Sequence, residues 1–180
     1  MRHAMQPRVG VRAAVEGDAK AIVSLHFASV RHYAADFYAA EIIQLWSPPP
    51  GGRRWDRMRR AIASETETVL VAEFADRICG FGSVVAAEEE LRSLYVDPAF
   101  GHRGVGSLLL SHLEALALAE GVQQLHLNAS LNACEFYRRR GFEVVEQGVH
   151  RLSGGVDMQC VKMRKSVARD ANPALGHGLG

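Results

Sequence analysis

Cysteine is scarce: Cys79, Cys134 and Cys160 are the only three in 180 residues. They are scattered, with none of the CxxC pairing of a zinc site or a redox centre. An odd number also suits no disulfide framework. The expectation is reduced thiols, no metal and a cytoplasmic location. An excess of one charge is missing too. Lys and Arg total 21 against 20 for Asp and Glu, a net charge of +1, so no global field draws nucleic acid or a membrane surface. No apolar run is long enough to span a bilayer. The segment Met1–Pro7 lacks the apolar core of a signal peptide, and no internal repeat is visible.

What is present is a balanced chain, 48% hydrophobic and 23% charged, long enough for one domain with a sizeable core. Val9–Ala14 reads as a short strand. Asp18 is placed to N-cap a helix carrying Ile22, Leu25 and His26 on one side. A second helix over about 35–46 stops at Ser47–Gly52, a run holding three prolines, and a third follows over 54–64. The pattern then changes period. Thr68–Phe74 and Ile78–Val85 read as strands joined by a tight hairpin, and Leu91–Val96 is the next strand. A helix over 104–120 carries the stripe Leu109, Leu113 and Leu116, widened by Leu110 and Ala117, and Gly121 ends it. Gln124–Asn128 is a strand and Asn132–Arg140 a short helix closed by Gly141. Phe142–Glu146 and Val156–Met163 are two last, antiparallel strands. Strand, turn, helix and strand over 91–128 make one right-handed crossover, so those two strands run parallel within an otherwise antiparallel sheet. The domain is placed at 9–164, with 1–8 and 165–180 as flexible termini.

Between the strand and the long helix lies Gly101-His102-Arg103-Gly104-Val105-Gly106-Ser107. Bare backbone N–H groups at a helix N-terminus, with the positive end of the helix dipole, suit phosphate or pyrophosphate. The spacing excludes two common phosphate loops. Gly101 and Gly106 have the four-residue gap of a P-loop, but Ser107 stands where its lysine belongs. The order Gly-x-x-Gly-x-Gly also reverses the dinucleotide fingerprint.

A second block, Asn128-Ala-Ser-Leu-Asn-Ala-Cys-Glu-Phe-Tyr-Arg-Arg-Arg-Gly-Phe142, follows at a fixed distance. The two blocks together resemble those of the GNAT-type (GCN5-related) N-acetyltransferases, in the family's order. The glycine turn is similar to the family's acetyl-CoA loop, Gln/Arg-x-x-Gly-x-Gly/Ala. The resemblance implies the GNAT fold: an α/β domain with a mixed six- to seven-stranded sheet, splayed at its central parallel pair, and helices on both faces. It implies transfer of the acetyl group of acetyl-CoA to a primary amine of a small molecule or peptide. The family often forms dimers, so a homodimer is an expectation.

On this resemblance the pyrophosphate rests on Gly101, His102, Arg103, Gly104, Val105, Gly106 and Ser107. The pantetheine arm pairs like an extra strand beside Leu94, Tyr95 and Val96, and Asn132 and Phe136 also meet the cofactor. Gly101 departs from the family's Gln or Arg, and Arg103 is expected to supply positive charge nearby. Tyr137 matches the family's general acid. The candidate base comes from position instead: Glu90 lies at the start of the strand and by alternation shares a face with Arg92 and Leu94, so it could reach the amine through water. The amine acceptor is expected to meet the helices over 28–46 and the loop near 148–156. Tyr33, Phe37, Tyr38 and Trp46 line that region or simply pack it. Arg138–Arg140 read as a solvated charge run that could meet the 3′-phosphate of CoA. A different class of function is a non-catalytic acyl-CoA-binding sensor that keeps the turn but transfers nothing.

Overall fold

The computed structural model describes residues 8–168. Its seven strands are β1 (Gly10–Ala13), β2 (Thr68–Phe74), β3 (Arg77–Val85), β4 (Glu90–Val96), β5 (Gln124–Ser130), β6 (Glu143–Arg151) and β7 (Asp157–Ser166). They form one sheet in the order β1-β2-β3-β4-β5-β7-β6. Every pairing is antiparallel except β4 with β5. The mixed sheet and its parallel centre are as the crossover predicts.

Alternation along the strands explains the layering. In β2, Leu70 and Ala72 enter one core while Val69 and Val71 enter another, as a period of two requires. The first core is closed by α4 (Val105–Ala119), through Leu109, Leu110, Leu113 and Ala117. The second is closed by α1 (Ala19–Tyr33), through Ile22 and Leu25, and by α3 (Gly52–Ile62), through Met58 and Ile62. Two glycines of β3 let α4 approach closely. A Cβ on Gly80 would lie 2.9 Å from side-chain atoms of Leu109 and Val105, and one on Gly82 would lie 2.8 Å from Leu113.

Several boundaries differ from the sequence expectation. The second helix, α2, spans only Ala40–Trp46, because residues 34–38 form turns instead. Asp18 precedes α1 but does not cap it. Its carboxylate turns back to accept from Val15 N–H at 2.9 Å and to pair with Arg12 at 2.7 Å. β6 continues to Arg151, so the expected loop over 148–156 shrinks to 152–156. β7 runs to Ser166, two residues past the expected domain edge. The remaining terminal segments, 1–7 and 169–180, lie outside the described residues. Among those residues no helix is long and apolar enough to cross a membrane.

Candidate active site

The parallel pair is barely a pair. β4 and β5 are in register only at Glu90 and His126, and His126 N–H bonds Glu89 C=O at 2.9 Å. Beyond that point the strands diverge, so the β5-facing backbone groups of Leu94–Val96 have no strand partner. The gap opens into a cleft of about 440 Å³. Leu94, Tyr95 and Val96 form its floor. The glycine turn and the start of α4 form one wall, and α5 (Cys134–Arg138) with its approach forms another.

The turn has the shape of an anion cradle. His102 and Gly104 take left-handed backbone conformations, with φ of 57° and 80°. No side chain caps α4, and its first internal bond is Leu108 N–H to Gly104 C=O at 3.0 Å. The N–H groups of Val105, Gly106 and Ser107 therefore precede the ladder and are left for a ligand. Gly106 packs under Phe136, since a Cβ there would lie 3.1 Å from the ring. Asn132 supplies a further sign of a missing partner: its Oδ1 is buried, unpaired and on the cleft wall. A buried acceptor without a donor is costly, and an amide N–H such as those of pantetheine would satisfy it. The residues present thus fit acetyl-CoA.

Tyr137 stands at the centre of the cleft wall, 7% exposed, edge-on to Phe136 and Phe142 with ring centroids 5.1 and 5.5 Å away. Burial, with Tyr95 and Cys134 nearby, pushes its phenol well above the ordinary tyrosine range. It therefore keeps its proton near neutral pH and remains a donor. The structure brings Tyr137 together with Leu94, Tyr95, Val96, Gly101, His102, Gly104, Val105, Gly106, Ser107, Asn132 and Phe136 on one cleft.

Two expected residues are not on it. Arg103 is exposed and lies over the Phe100 ring at 5.6 Å, off the cleft lining. Glu90 is outside the cleft, its carboxylate 2.7 Å from Arg92, which also binds Glu88. The reason is a bulge. Val84 pairs with Leu91 and Ser83 with Ser93, leaving Arg92 as the extra residue. Leu91 and Leu94 then pack into the same core, three residues apart. The alternation shifts by one, and Glu90 no longer shares a face with Leu94.

Other cleft residues sit differently from the sequence expectation. Arg140 does not join a solvated run. Its Nε donates to Ser107 Oγ at 3.1 Å, and its guanidinium lies 3.8 Å from the Phe136 ring centroid. Tyr33 at the end of α1 faces the turn, and Trp46 lines the opposite wall. Behind Tyr95 sits His26, 4.5 Å away ring to ring, bonded to Ser47 Oγ at 2.8 Å and to Arg54 at 3.0 Å. Burial, then Arg54 and Arg31, lower its pKa to about 3, so it is neutral. Burial pushes Tyr95 itself up to about 12. No local sequence pattern marks such a cluster, because its members come from four separate elements.

A second groove, of about 520 Å³, runs between α1 and the β2–β3 hairpin. Its charged walls are self-satisfied by the pairs Arg12–Asp18, Arg12–Glu73 and Arg77–Asp97.

Comparison with known proteins agrees with this fold. A family model described as an acetyltransferase (GNAT) domain matches residues 52–167. The uncharacterised N-acetyltransferase YafP of Escherichia coli K12 is 27% identical over 139 residues, covering 77% of this chain and 84% of the relative. The crystal structure of a GCN5-related N-acetyltransferase from Rhodopseudomonas palustris superposes with a TM-score of 0.81 at 26% identity, over 92% of this chain and 99% of that one. The PaiA N-acetyltransferase of Thermoplasma acidophilum, solved with coenzyme A, shares the fold with a TM-score of 0.69 at 19% identity, over 88% and 99% of the two chains. The family match spans more than half of the sequence, and the chain belongs to the GNAT family of acetyl-CoA-dependent N-acetyltransferases.

Proposed function

We propose that this protein transfers the acetyl group of acetyl-CoA to a primary amine by direct attack within a ternary complex. The observation that carries the reading is convergence. An uncapped helix N-terminus, unpaired strand backbone and a buried, protonated tyrosine meet on one cleft. The α4 N-terminus holds the pyrophosphate, and the free groups of Leu94–Val96 pair with the pantetheine amides. Leu94 N–H faces the growing oxyanion. Tyr137 donates to the departing sulfur; a thiol of pKa about 8.5 leaves without much help, so this donor adds a modest factor.

The amine must first lose a proton. For an alkyl amine of pKa about 10.4 that costs roughly 4–5 kcal/mol at pH 7. Glu90 takes this proton only through water, since its carboxylate is held by Arg92 outside the cleft. The acceptor enters between the turn after α1, α2 and the 152–156 loop, against Trp46. Initial rates measured with both substrates varied test the order of events. Intersecting double-reciprocal lines support direct transfer, while parallel lines would indicate an acetyl-enzyme and refute it.

A further inference from the structure

The pyrophosphate turn carries glycine where its family has Gln or Arg, and the structure gives a reason. Gly101 has φ −56° and ψ 148°, a conformation open to any residue, so the backbone does not require glycine there. Space does. A Cβ at this position would overlap the Tyr33 hydroxyl oxygen, and would also lie 3.3 Å from Pro98 C=O and 3.5 Å from Tyr33 Cζ. The volume where a Gln or Arg side chain would begin is filled by the last residue of α1. Tyr33 lines the same cleft as Gly101, Gly104 and Ser107, its hydroxyl against Gly101. Its ring is steadied edge-on by His32 at 4.7 Å. Burial, then Asp97, raise its pKa, which keeps it a donor.

The missing charge also comes from elsewhere. Arg140 is fixed at three points: Ser107 Oγ at 3.1 Å, Phe136 C=O at 3.0 Å and the face of Phe136. None of the ion pairs among the described residues includes it. Ser107 is in the first turn of α4, so this cation is held at the positive end of a helix. That is an unfavourable place for an unpaired cation, unless an anion shares it.

Resting on the acetyl-CoA reading above, we infer that Tyr33 and Arg140 together replace the side chain absent at position 101. The phenol donates to the pyrophosphate of acetyl-CoA and the guanidinium offsets part of its charge. The anchor has moved from the turn itself to the two elements that flank it.

Calorimetric binding of CoA, 3′-dephospho-CoA and phosphate-free pantetheine tests this without any acceptor amine. For Arg140→Ala the dissociation constant of CoA should rise about 10- to 100-fold, and for Tyr33→Phe about 3- to 10-fold, as losing hydrogen bonds to a charged group implies. Arg140→Lys should fall between, since it keeps charge but not the fork. The losses should be the same for dephospho-CoA and absent for pantetheine. The double variant Tyr33→Ala/Gly101→Arg, which restores the family's arrangement, should bind CoA more tightly than Tyr33→Ala alone. Unchanged CoA affinity in both single variants would overturn the inference. So would a loss that vanishes with dephospho-CoA, which would move Arg140 to the 3′-phosphate. Wild-type protein that binds no CoA would overturn the acetyl-CoA reading as well.

Discussion

The hydroxyl of Tyr38 accepts a 2.8 Å hydrogen bond from Leu131 N–H and donates one of 2.7 Å to Gln159 C=O. One side chain from the turn after α1 thus joins the end of β5 to β7, beside Asn132. The N-terminal helices are tied to the cofactor wall at this point. Tyr38→Phe would leave both backbone groups without their partner. The expected loss is about 1 kcal/mol, since the site is partly open to water, with a weaker hold on the acceptor. Thermal denaturation reads the first and the acceptor KM the second; an unchanged melting temperature would contradict the bridge.

Tyr137→Phe removes the proposed donor while keeping the ring between Phe136 and Phe142. It should lower kcat by roughly 10- to 100-fold with CoA affinity changed less than about twofold, because the ring packing survives. Stopped turnover and calorimetric binding separate the two quantities. Full activity in this variant would remove Tyr137 from the mechanism.

Glu90→Gln tests the water-mediated base. If Glu90 takes the amine proton, kcat/KM should fall by roughly 10-fold or more across the pH–rate profile. A profile that overlays the wild type would reduce Glu90 to a partner of Arg92.

His26 makes stability depend on pH. In the folded protein its pKa is lowered from 6.5 to about 3 by burial, then by Arg54 and Arg31. Between those values the unfolded chain binds a proton that the folded chain refuses, so stability falls as pH drops from 6.5 toward 3 and is full above 6.5. The loss should amount to a few kcal/mol at most. Denaturant titrations between pH 4 and 7 should show this slope in the wild type and a flatter one in His26→Gln. Equal slopes would contradict a buried neutral histidine.

Much of this molecule was legible in its sequence because the signals were local. The strand–turn–helix over 91–120 needs only the stop at Pro98, the left-handed glycine at 104 and the stripe of Leu109 and Leu113. The second block points to Tyr137 and Asn132, which the structure places on the cleft. The misplaced residues depend on events that no local pattern carries. The bulge at Arg92 turned Glu90 away from the face of Leu94. Arg140 follows two other arginines in sequence, and only the geometry of α5 against α4 sends it inward to Ser107. Gly101 departs from the family pattern, and only the fold brings Tyr33, 68 positions earlier in the chain, into the space beside it.

The most direct measurement is CoA release from acetyl-CoA across a panel of primary amines, with the products identified by mass. The proposed function predicts release that depends on at least one amine and matches the acetylated product mole for mole. Tight acetyl-CoA binding with no amine-dependent release in any arm of a panel spanning small amines, peptides and lysine side chains would contradict it and favour a sensor that binds acyl-CoA without turning it over.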